Sequence, residues 1–570
     1  MHLERLIRVG RGLEPADVVL KNARVVNVFS GEIQNADVAF CEDKIAGVGQ
    51  YQGLKEYDLK GSYVTPGFID AHMHVESYMV QVSEFARTAL PLGTTAIVAD
   101  PHEIANVMGT DGIAYILKSS KYNPLSVYVT LSSCVPASPL ETSGAELDAI
   151  DLIGFFQDKW VLGLAEVMNF PGVLNGDPEV LNKIRIAKDK QIDGHAPGLT
   201  GLDLNGYIAA GINSDHECST IEEAAEKLRL GMHIMIREGS VARNLKDLLP
   251  LVNDYTLSRI MFCTDDRTPL DLLTRGHINS MIRDAISSGI SPVWAIRMAT
   301  LNTAQYYKLN RVGGVAPGWM ADVVVLDDLE KMTPRMVFKQ GILAAEDGQM
   351  VFPETARRPI PLRGSVNVQW LREEDFRIPA VDGKDCRVIR VIPKQLITVS
   401  ETAAPKVVEG AVTPDIDRDL LKMVVIERHH ATGNVGMGLV RGFGLKQGAI
   451  ASSVAHDSHN LIVIGTNDHD IFTAAVQLVK MQGGLCAVRN GEVLESLPLP
   501  IGGLMSDKPL AEVCACLEKL KNAAHSLGCT MEDPYMQMAF LSLPVIPDLK
   551  LTDRGLVDVS KFEIVPLFLN

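Results

Sequence analysis

Short apolar runs alternate with turn residues at both ends of the first 350 residues. In residues 18–64 these runs are rich in valine and separated by turn signals, a pattern typical of β-strands. A similar pattern returns at residues 321–341. Because so small a sheet is not stable alone, we predict one split β domain built from residues 1–65 and 311–365.

Between these segments, short apolar runs alternate with amphipathic helical patterns. The run 95–99 and the helical stretch 221–230 are representative of the two kinds. This rhythm predicts βαβ units and a parallel sheet. Several apolar runs end in residues that can bind metals, and a (β/α)8 barrel places its active site at these strand ends. We therefore predict an α/β fold with a TIM-like barrel over residues 66–310.

A proline-marked boundary at residues 357–361 precedes a further mixed pattern of strands and helices. This pattern predicts an additional C-terminal α/β domain over residues 366–570. Its loop at 452–460 contains His456 and His459. A second metal site, a lid over the barrel and an ordinary polar loop all fit this loop, so no metal is assigned to it.

Composition narrows the class of protein. The 570 residues include 54 Lys and Arg against 70 Asp and Glu, a net charge of −16, which argues against nucleic acid and anionic membranes as partners. Charge interrupts the first residues, and no long apolar segment follows, so we expect a cytoplasmic protein. The nine cysteines form no CxxC pair, which argues against a disulfide framework. A large soluble enzyme of this kind is expected to be a homo-oligomer.

The first candidate ligands are His72 and His74, at the end of an apolar run. Alternate side chains of a strand share a face, so both rings are expected to point into the barrel mouth and could chelate one metal. Such a pair alone also fits a purely structural role.

Four further strand ends carry Glu166, His195, His216 and Asp265. Each has a simpler alternative, because a carboxylate can cap a helix and an imidazole can bond a backbone carbonyl. Four imidazoles and two carboxylates at successive strand ends are nevertheless a set that chance supplies poorly. Together they predict a metal centre.

These residues resemble the amidohydrolase superfamily of metal-dependent (β/α)8 hydrolases. That superfamily has HxH after the first strand, one His after the fifth and one after the sixth, and Asp after the eighth. Many binuclear members bridge their metals with a carboxylated lysine on the fourth strand, where this sequence has Glu166. A glutamate can bridge two cations without that modification.

Six motifs in order narrow the resemblance to the bacterial adenine deaminase family, and the likeness covers essentially the whole chain. The motifs are HMHVES at 72–77, DPHEIANV at 100–107, HAPGL at 195–199, SDHEC at 214–218, REGS at 237–240 and CTDDR at 263–267.

The resemblance implies hydrolytic deamination of adenine to hypoxanthine and ammonia, with adenine and water as substrates. It implies two divalent metal ions, Mn²⁺ or Fe²⁺ with Zn²⁺ as an alternative, that activate a water molecule as hydroxide. Asp265 would accept the proton of the nucleophile and pass it to the leaving amine. The implied ligands are His72, His74, Glu166, His195, His216 and Asp265.

Protonation of adenine N1 requires a separate acid. Related cytosine deaminases use a glutamate three residues after the fifth-strand histidine, but this sequence has Gly198 there. We favour Glu103 as the acid, with its pKa raised in a closed apolar site, and keep Glu76 as the alternative. Asp100, His102 and Glu76 are expected to shape the substrate site. Asp100 and His102 could instead simply fix the turn after their strand.

Two other functions remain open. A deacetylase that resembles those acting on N-acetylglucosamine 6-phosphate, or a cyclic-amide hydrolase, would share the fold, and such deacetylases also bind metal through a glutamate. The motifs at 100–103 and 237–240 fit the deaminases better. A non-catalytic scaffold of the same fold would have lost metal ligands, whereas all six positions here are competent.

Overall fold

The computed structural model describes residues 3–121, 123–352, 362, 364–393 and 395–569. The boundary predicted at residues 357–361 lies outside these ranges. Within them, no helix combines the length and the apolar character needed to cross a membrane.

The first part of the chain is a helix followed by five strands. Its valine-rich strands bury one face, on which Leu20, Val25, Val38 and Phe40 are fully buried. The elements are α1 (Leu3–Gly10), β1 (Ala16–Val26), β2 (Ile33–Cys41), β3 (Lys44–Gly49), β4 (Gly53–Asp58) and β5 (Tyr63–Pro66).

The next 240 residues, roughly, alternate eight strands with helices, as the apolar rhythm predicts. Some of the helices begin at a residue whose side chain caps them; Thr220 Oγ1, for example, accepts a hydrogen bond from Glu223 N. The elements are β6 (Phe68–Met73), α2 (Val82–Ala89), β7 (Thr94–Ala99), α3 (His102–Ser120), β8 (Ser126–Leu131), α4 (Ala149–Ile153), β9 (Val161–Val167), α5 (Phe170–Asn175), α6 (Pro178–Ile186), β10 (Gln191–Gly194), α7 (Gly201–Ala209), β11 (Ser214–Asp215), α8 (Ile221–Arg229), β12 (His233–Arg237), α9 (Leu245–Leu248), β13 (Ile260–Cys263), α10 (Pro269–Arg275), α11 (Ile278–Ser287), α12 (Pro292–Met298) and α13 (Leu301–Tyr306).

The eight strands close into a parallel barrel. Strands β6 to β10 pair in order, and so do β11 to β13. Asn213 N, just before β11, donates to Ile192 O of β10, and Asp265 N, just after β13, donates to His72 O of β6. These two hydrogen bonds join the halves, so the carboxyl ends of all eight strands surround one mouth. The predicted (β/α)8 fold is confirmed.

After the barrel the chain returns to the first sheet. Strand β14 pairs antiparallel with β5, which places Val324 opposite Thr65. Strands from both segments therefore share one nine-stranded sheet. The returning strands are β14 (Val323–Leu326), β15 (Pro334–Lys339), β16 (Ile342–Glu346) and β17 (Gln349–Met350).

The remainder is a C-terminal domain with a central eight-stranded sheet, in the order β20-β19-β24-β23-β26-β25-β27-β28. Its elements are β18 (Ile378–Pro379), β19 (Cys386–Val391), β20 (Thr398–Ala403), β21 (Lys406–Val408), β22 (Ala411–Thr413), β23 (Leu421–Ile426), β24 (Val435–Arg441), β25 (Ala449–Ser452), β26 (Leu461–Gly465), α14 (Asp468–Met481), β27 (Gly484–Arg489), β28 (Glu492–Pro498), α15 (Leu510–Ser526), α16 (Pro534–Ala539), β29 (Leu549–Thr552), β30 (Gly555–Asp558) and β31 (Glu563–Val565).

Both faces of this sheet are buried. On β23, Val424 lies in the apolar cluster formed with α14, while Met423 and Val425 face the other way. Their cluster continues without a break into the barrel, where it includes Ile104 of α3. The C-terminal domain is therefore packed on the barrel by a shared apolar core.

The split sheet is held to the barrel by a buried cation. Lys339 Nζ, at the end of β15, lies 2.5 Å from Asp322 Oδ2 and 2.8 Å from Ser126 Oγ at the start of β8. Lys339→Met leaves the Asp322 carboxylate buried without its partner, which typically costs about 3–5 kcal/mol. We expect a clearly lower midpoint in differential scanning calorimetry.

Lys331→Met is the matched control, because its side chain is 78 % exposed and its ion pair with Asp328 is a surface contact. Equal midpoints for the two variants would contradict a role for Lys339 in joining sheet and barrel.

Candidate metal centre and active site

The six predicted ligands meet at the carboxyl ends of five barrel strands. Glu166 lies near the end of β9, and His195 and His216 directly follow β10 and β11. Asp265 lies two residues after β13 in a left-handed backbone conformation, with φ of 55°. His72 and His74 come from the end of β6 and are almost completely buried. Alternation along β6 turns both rings into the mouth, as predicted.

Glu166 lies at the centre of this cluster. Its Oε2 is 2.8 Å from His195 Nδ1 and 3.2 Å from His216 Nε2, and its Oε1 is 3.5 Å from His74 Nε2. Burial alone would raise the pKa of Glu166, but the nearby imidazoles of His102, His195 and His216 hold it well below its ordinary value. The carboxylate is therefore ionised and presents oxygens to both sides of the mouth.

Several inward-facing polar atoms of the cluster lack a hydrogen-bond partner. They are both ring nitrogens of His72, His216 Nε2 and Glu166 Oε1. Buried polar atoms of this kind normally find partners, so their convergence indicates a ligand. The side chains can approach a metal in small groups, among them His72, His216 and Asp265, and Glu166, His195 and His216. These nitrogen and oxygen donors fit two divalent cations.

Asp100 and His102 lie beside the cluster, at the end of β7. Asp100 Oδ2 is 3.1 Å from His102 Nδ1, and the Asp100 carbonyl oxygen is 3.0 Å from His74 Nδ1. The same His102 Nδ1 lies 3.2 Å from Glu166 Oε1. Asp100 therefore orients two imidazoles, which is more than a fixed turn requires.

Glu76 is buried close to this pair. Its Oε1 accepts a hydrogen bond from Ile104 N, while its Oε2 is buried without a partner. Burial raises the pKa of Glu76 to about 7. This side chain thus has the property that an acid acting near neutral pH needs.

Glu103 differs from the sequence-based expectation. Its carboxylate does not lie in an apolar site but contacts His456 Nδ1 and His459 Nε2 of the C-terminal domain. Burial alone would raise the pKa of Glu103, but these two imidazoles and His102 hold it well below its ordinary value. The expected raised pKa is wrong, because the loop at 452–460 inserts two histidines into the mouth.

The chain is similar to known proteins along its whole length. A family model described as "Amidohydrolase family" matches residues 63–350, and one described as "Adenine deaminase C-terminal domain" matches residues 395–563. Adenine deaminase 2 of Carboxydothermus hydrogenoformans is 50% identical over 568 residues, which cover 100% of both chains. An adenine deaminase of Desulfatibacillum aliphaticivorans is 50% identical over 99% of both chains. The chain belongs to the adenine deaminase family of amidohydrolases.

Among solved structures, a β-aspartyl dipeptidase of Fervidobacterium islandicum AW-1 matches 58% of this chain and 98% of its own, at 17% identity and a TM-score of 0.44.

In this adenine deaminase family member, Arg237 holds Asp265 from the side opposite the histidines. Arg237 Nη1 at the end of β12 donates to Asp265 Oδ2 at 2.8 Å and also pairs with Glu217. Burial would raise the pKa of Asp265, but the hydrogen bond from His74 and the Arg237 charge hold it well below its ordinary value. Arg237 belongs to the REGS motif at 237–240 but was not among the predicted site residues, although its position at a strand end was a usable signal.

The first and last barrel strands are clasped directly beneath the ligands. Asp70 of β6 accepts hydrogen bonds from Thr264 N at 3.1 Å and Thr264 Oγ1 at 2.6 Å. Thr264 immediately precedes the predicted ligand Asp265, and Asp70 lies two positions before the predicted ligand His72. The clasp therefore fixes His72 relative to Asp265.

A buried lysine fixes the two loops that carry His195 and His216. Lys227 Nζ of α8 donates to Ala196 O at 2.8 Å and to the carboxylates of Asp215 and Glu223 at 2.9 and 2.7 Å. The loops after β10 and β11 thus share one cation that is fully buried.

Lys227→Met should weaken metal binding, because the residues that orient ligands typically contribute 10–100-fold in affinity. We expect less metal per chain after dialysis against a chelator, measured by inductively coupled plasma mass spectrometry. Lys188→Met, at an exposed position before β10, is the control and should retain metal as the unaltered protein does. Equal retention in both variants would show that Lys227 does not position the ligands.

Proposed function

We propose that this protein catalyses the hydrolytic deamination of adenine to hypoxanthine and ammonia. The observation that carries the proposal is the complete set of six metal-competent side chains at one barrel mouth, in a chain that is 50% identical along its full length to proteins named adenine deaminase. A scaffold that had lost its catalytic role would have no need of six convergent donors.

The proposed ligands are His72, His74, Glu166, His195, His216 and Asp265. Two divalent cations held by these residues would lower the pKa of a bound water to about 7 and so supply hydroxide at neutral pH. Glu166 would contribute both of its oxygens to this donor set, because they face different sets of imidazoles.

Asp265 is the proposed base and shuttle. Its low pKa keeps it ionised, so it can accept the proton of the nucleophile. Arg237 fixes Oδ2, which leaves Oδ1 on the side of His74, 3.1 Å from its Nε2. The same carboxylate can then deliver that proton to the departing amine.

Glu103 is the proposed donor to ring N1, with Glu76 as the alternative. Because the Glu103 carboxylate is ionised at rest, it must receive a proton before it can give one. Glu76 holds its own proton more readily, since burial raises its pKa. Asp100 and His102 are proposed to shape the pocket around the purine, since both border Glu166.

The first test is turnover. Metal-replete protein mixed with adenine should lower the adenine absorbance and release ammonia in equal molar amounts, and protein stripped with a chelator should not. N-Acetylglucosamine 6-phosphate is the informative competitor substrate. Release of acetate from that sugar, with no change in adenine, would reject the proposed function in favour of a deacetylase.

The second test separates the two candidate acids. Loss of a general acid typically lowers kcat by about 10²–10⁴-fold. We expect Glu103→Gln to show a loss of this size while metal content stays near two per chain, because Glu103 contacts none of the six ligands through its carboxylate. Glu76→Gln is the matched comparison. A large loss in Glu76→Gln with near-normal activity in Glu103→Gln would transfer the role to Glu76.

We propose Mn²⁺ or Fe²⁺ as the metal, a homo-oligomeric assembly and a cytoplasmic location. The donor set accepts several divalent ions, so metal analysis of protein purified without added metal decides the first point. Light scattering of the same preparation tests the second. The nine cysteines are all free thiols, eight of them buried, which suits a reducing compartment.

A further inference from the structure

The loop at 452–460 is held firmly in the barrel mouth. Ser453 Oγ donates to Gly503 O at 2.6 Å, and Asn460 Nδ2 donates to Thr142 O of the barrel at 2.9 Å. His456 N donates to Ala539 O. These contacts come from the barrel as well as the C-terminal domain, so the two histidines of the loop have fixed positions.

The protonation state of His459 follows from a backbone contact. Ala455 N–H donates to His459 Nδ1 at 3.1 Å, so this nitrogen must carry a lone pair. The ring is then neutral and its proton lies on Nε2, which faces Glu103 Oε2. His459 is therefore a fixed hydrogen-bond donor to Glu103.

The same contact argues against a third metal site. Glu103, His456 and His459 have the spacing of a ligand group. Coordination through His459 Nε2 would require lone pairs on both ring nitrogens, which neutral imidazole does not have. The three side chains are better explained by hydrogen bonds.

His456 differs from His459. Its Nδ1 faces Glu103 Oε1, and its ring stacks on Phe540 with centroids 4.4 Å apart. Burial opposes a charge on this ring, but the carboxylate of Glu103, helped by Asp266 and Asp457, raises the pKa of His456 to about 9. Burial lowers the pKa of His459 to about 4. One imidazole is thus charged and the other neutral.

We propose that His456 and His459 complete the active site from the C-terminal domain: His459 orients the Glu103 carboxylate, and His456 supplies the proton that Glu103 delivers to the purine. This inference rests on the proposed function, since it assigns the source of the N1 proton. Both histidines are positioning residues that act through Glu103.

The proton balance closes. His456 gives its Nδ1 proton to Glu103 Oε1, and Glu103 gives a proton to N1. The proton that water loses when it becomes hydroxide returns to His456 through solvent, and the remaining proton of the hydroxide passes through Asp265 to the departing amine. Water thereby supplies the oxygen at C6, the proton on N1 and the proton gained by ammonia.

Other charged groups near Glu103, His456 and His459 also influence the titration of these side chains. His102 Nε2 lies 3.6 Å from Glu103 Oε1 and 3.9 Å from Asp457 Oδ1. Arg428 bonds the carbonyl oxygen of His459. The remaining charged neighbours are Glu76, whose pKa the charge of Glu103 helps to raise, and Asp266, which helps to raise the pKa of His456. Of this group, only Glu103 directly contacts both imidazoles.

The kinetic test uses variants that keep or remove one property at a time. His456→Asn retains an N–H donor near Nδ1 but cannot act as an acid near neutral pH, so kcat should fall about 10²-fold with KM and metal content little changed. His459→Gln retains a donor near Nε2 and should stay within about tenfold of the unaltered enzyme, whereas His459→Leu should lose considerably more. Near-normal kcat in His456→Asn overturns the inference.

A second measurement does not depend on activity. In the Zn²⁺-loaded protein with ¹⁵N-labelled histidine, NMR should show His456 with both nitrogens protonated until about pH 9, and His459 protonated only on Nε2. Glu103→Gln should lower the His456 pKa, since the facing carboxylate is gone. A His456 that titrates near 6.5 in both proteins overturns the inference. Absence of adenine turnover with the expected spectra would instead reject the proposed function alone.

Discussion

An ionised carboxylate can remain buried at the mouth of a barrel only where cationic or hydrogen-bonding groups surround it. Glu166 meets this condition because imidazoles from different strands converge on it, with His195 and His216 on one oxygen and His74 and His102 near the other. Convergence of this kind requires that the strands be parallel and closed in a ring. The fold and the charge of one side chain therefore depend on each other.

The closure of the ring adds a second constraint. Strands β6 and β13 are far apart in the chain, yet His72 and Asp265 must lie close together. The clasp between Asp70 and Thr264, 194 positions apart, and the bond from Asp265 N to His72 O provide this. Asp70 and Thr264 thus both close the barrel and position the proposed ligands. Both side chains are buried and hydrogen-bonded, as a low-dielectric site requires.

Most of the fold and the ligand cluster could be predicted from the sequence because the patterns that indicate them are local. Strand alternation and strand ends are visible in a few consecutive residues, so His72, His74 and Glu166 could be placed without knowing their neighbours. Contacts between distant segments produce no comparable pattern in consecutive residues. Glu103 and His456 lie 353 positions apart, so the surroundings of Glu103 were predicted wrongly. The ion pair of Arg237 with Asp265 was also missed, because a position at a strand end indicates the mouth of the barrel but does not identify the partner.

Gly198 occupies the position at which related cytosine deaminases have the glutamate that acts as the acid. This difference connects these observations. Gly198 donates its N–H to Glu223 Oε1, within the network that Lys227 organises, and its φ of 72° is a conformation that a side chain adopts only with strain. A glutamate at this position would disturb the loop that holds His195. In the proposed mechanism the acid for N1 therefore comes from another strand end, and Glu103 follows β7. Beside so many imidazoles it cannot keep its own proton, so a proton source must be added. In the proposed mechanism the C-terminal domain, packed on the barrel through a shared apolar core, supplies His456 for that purpose.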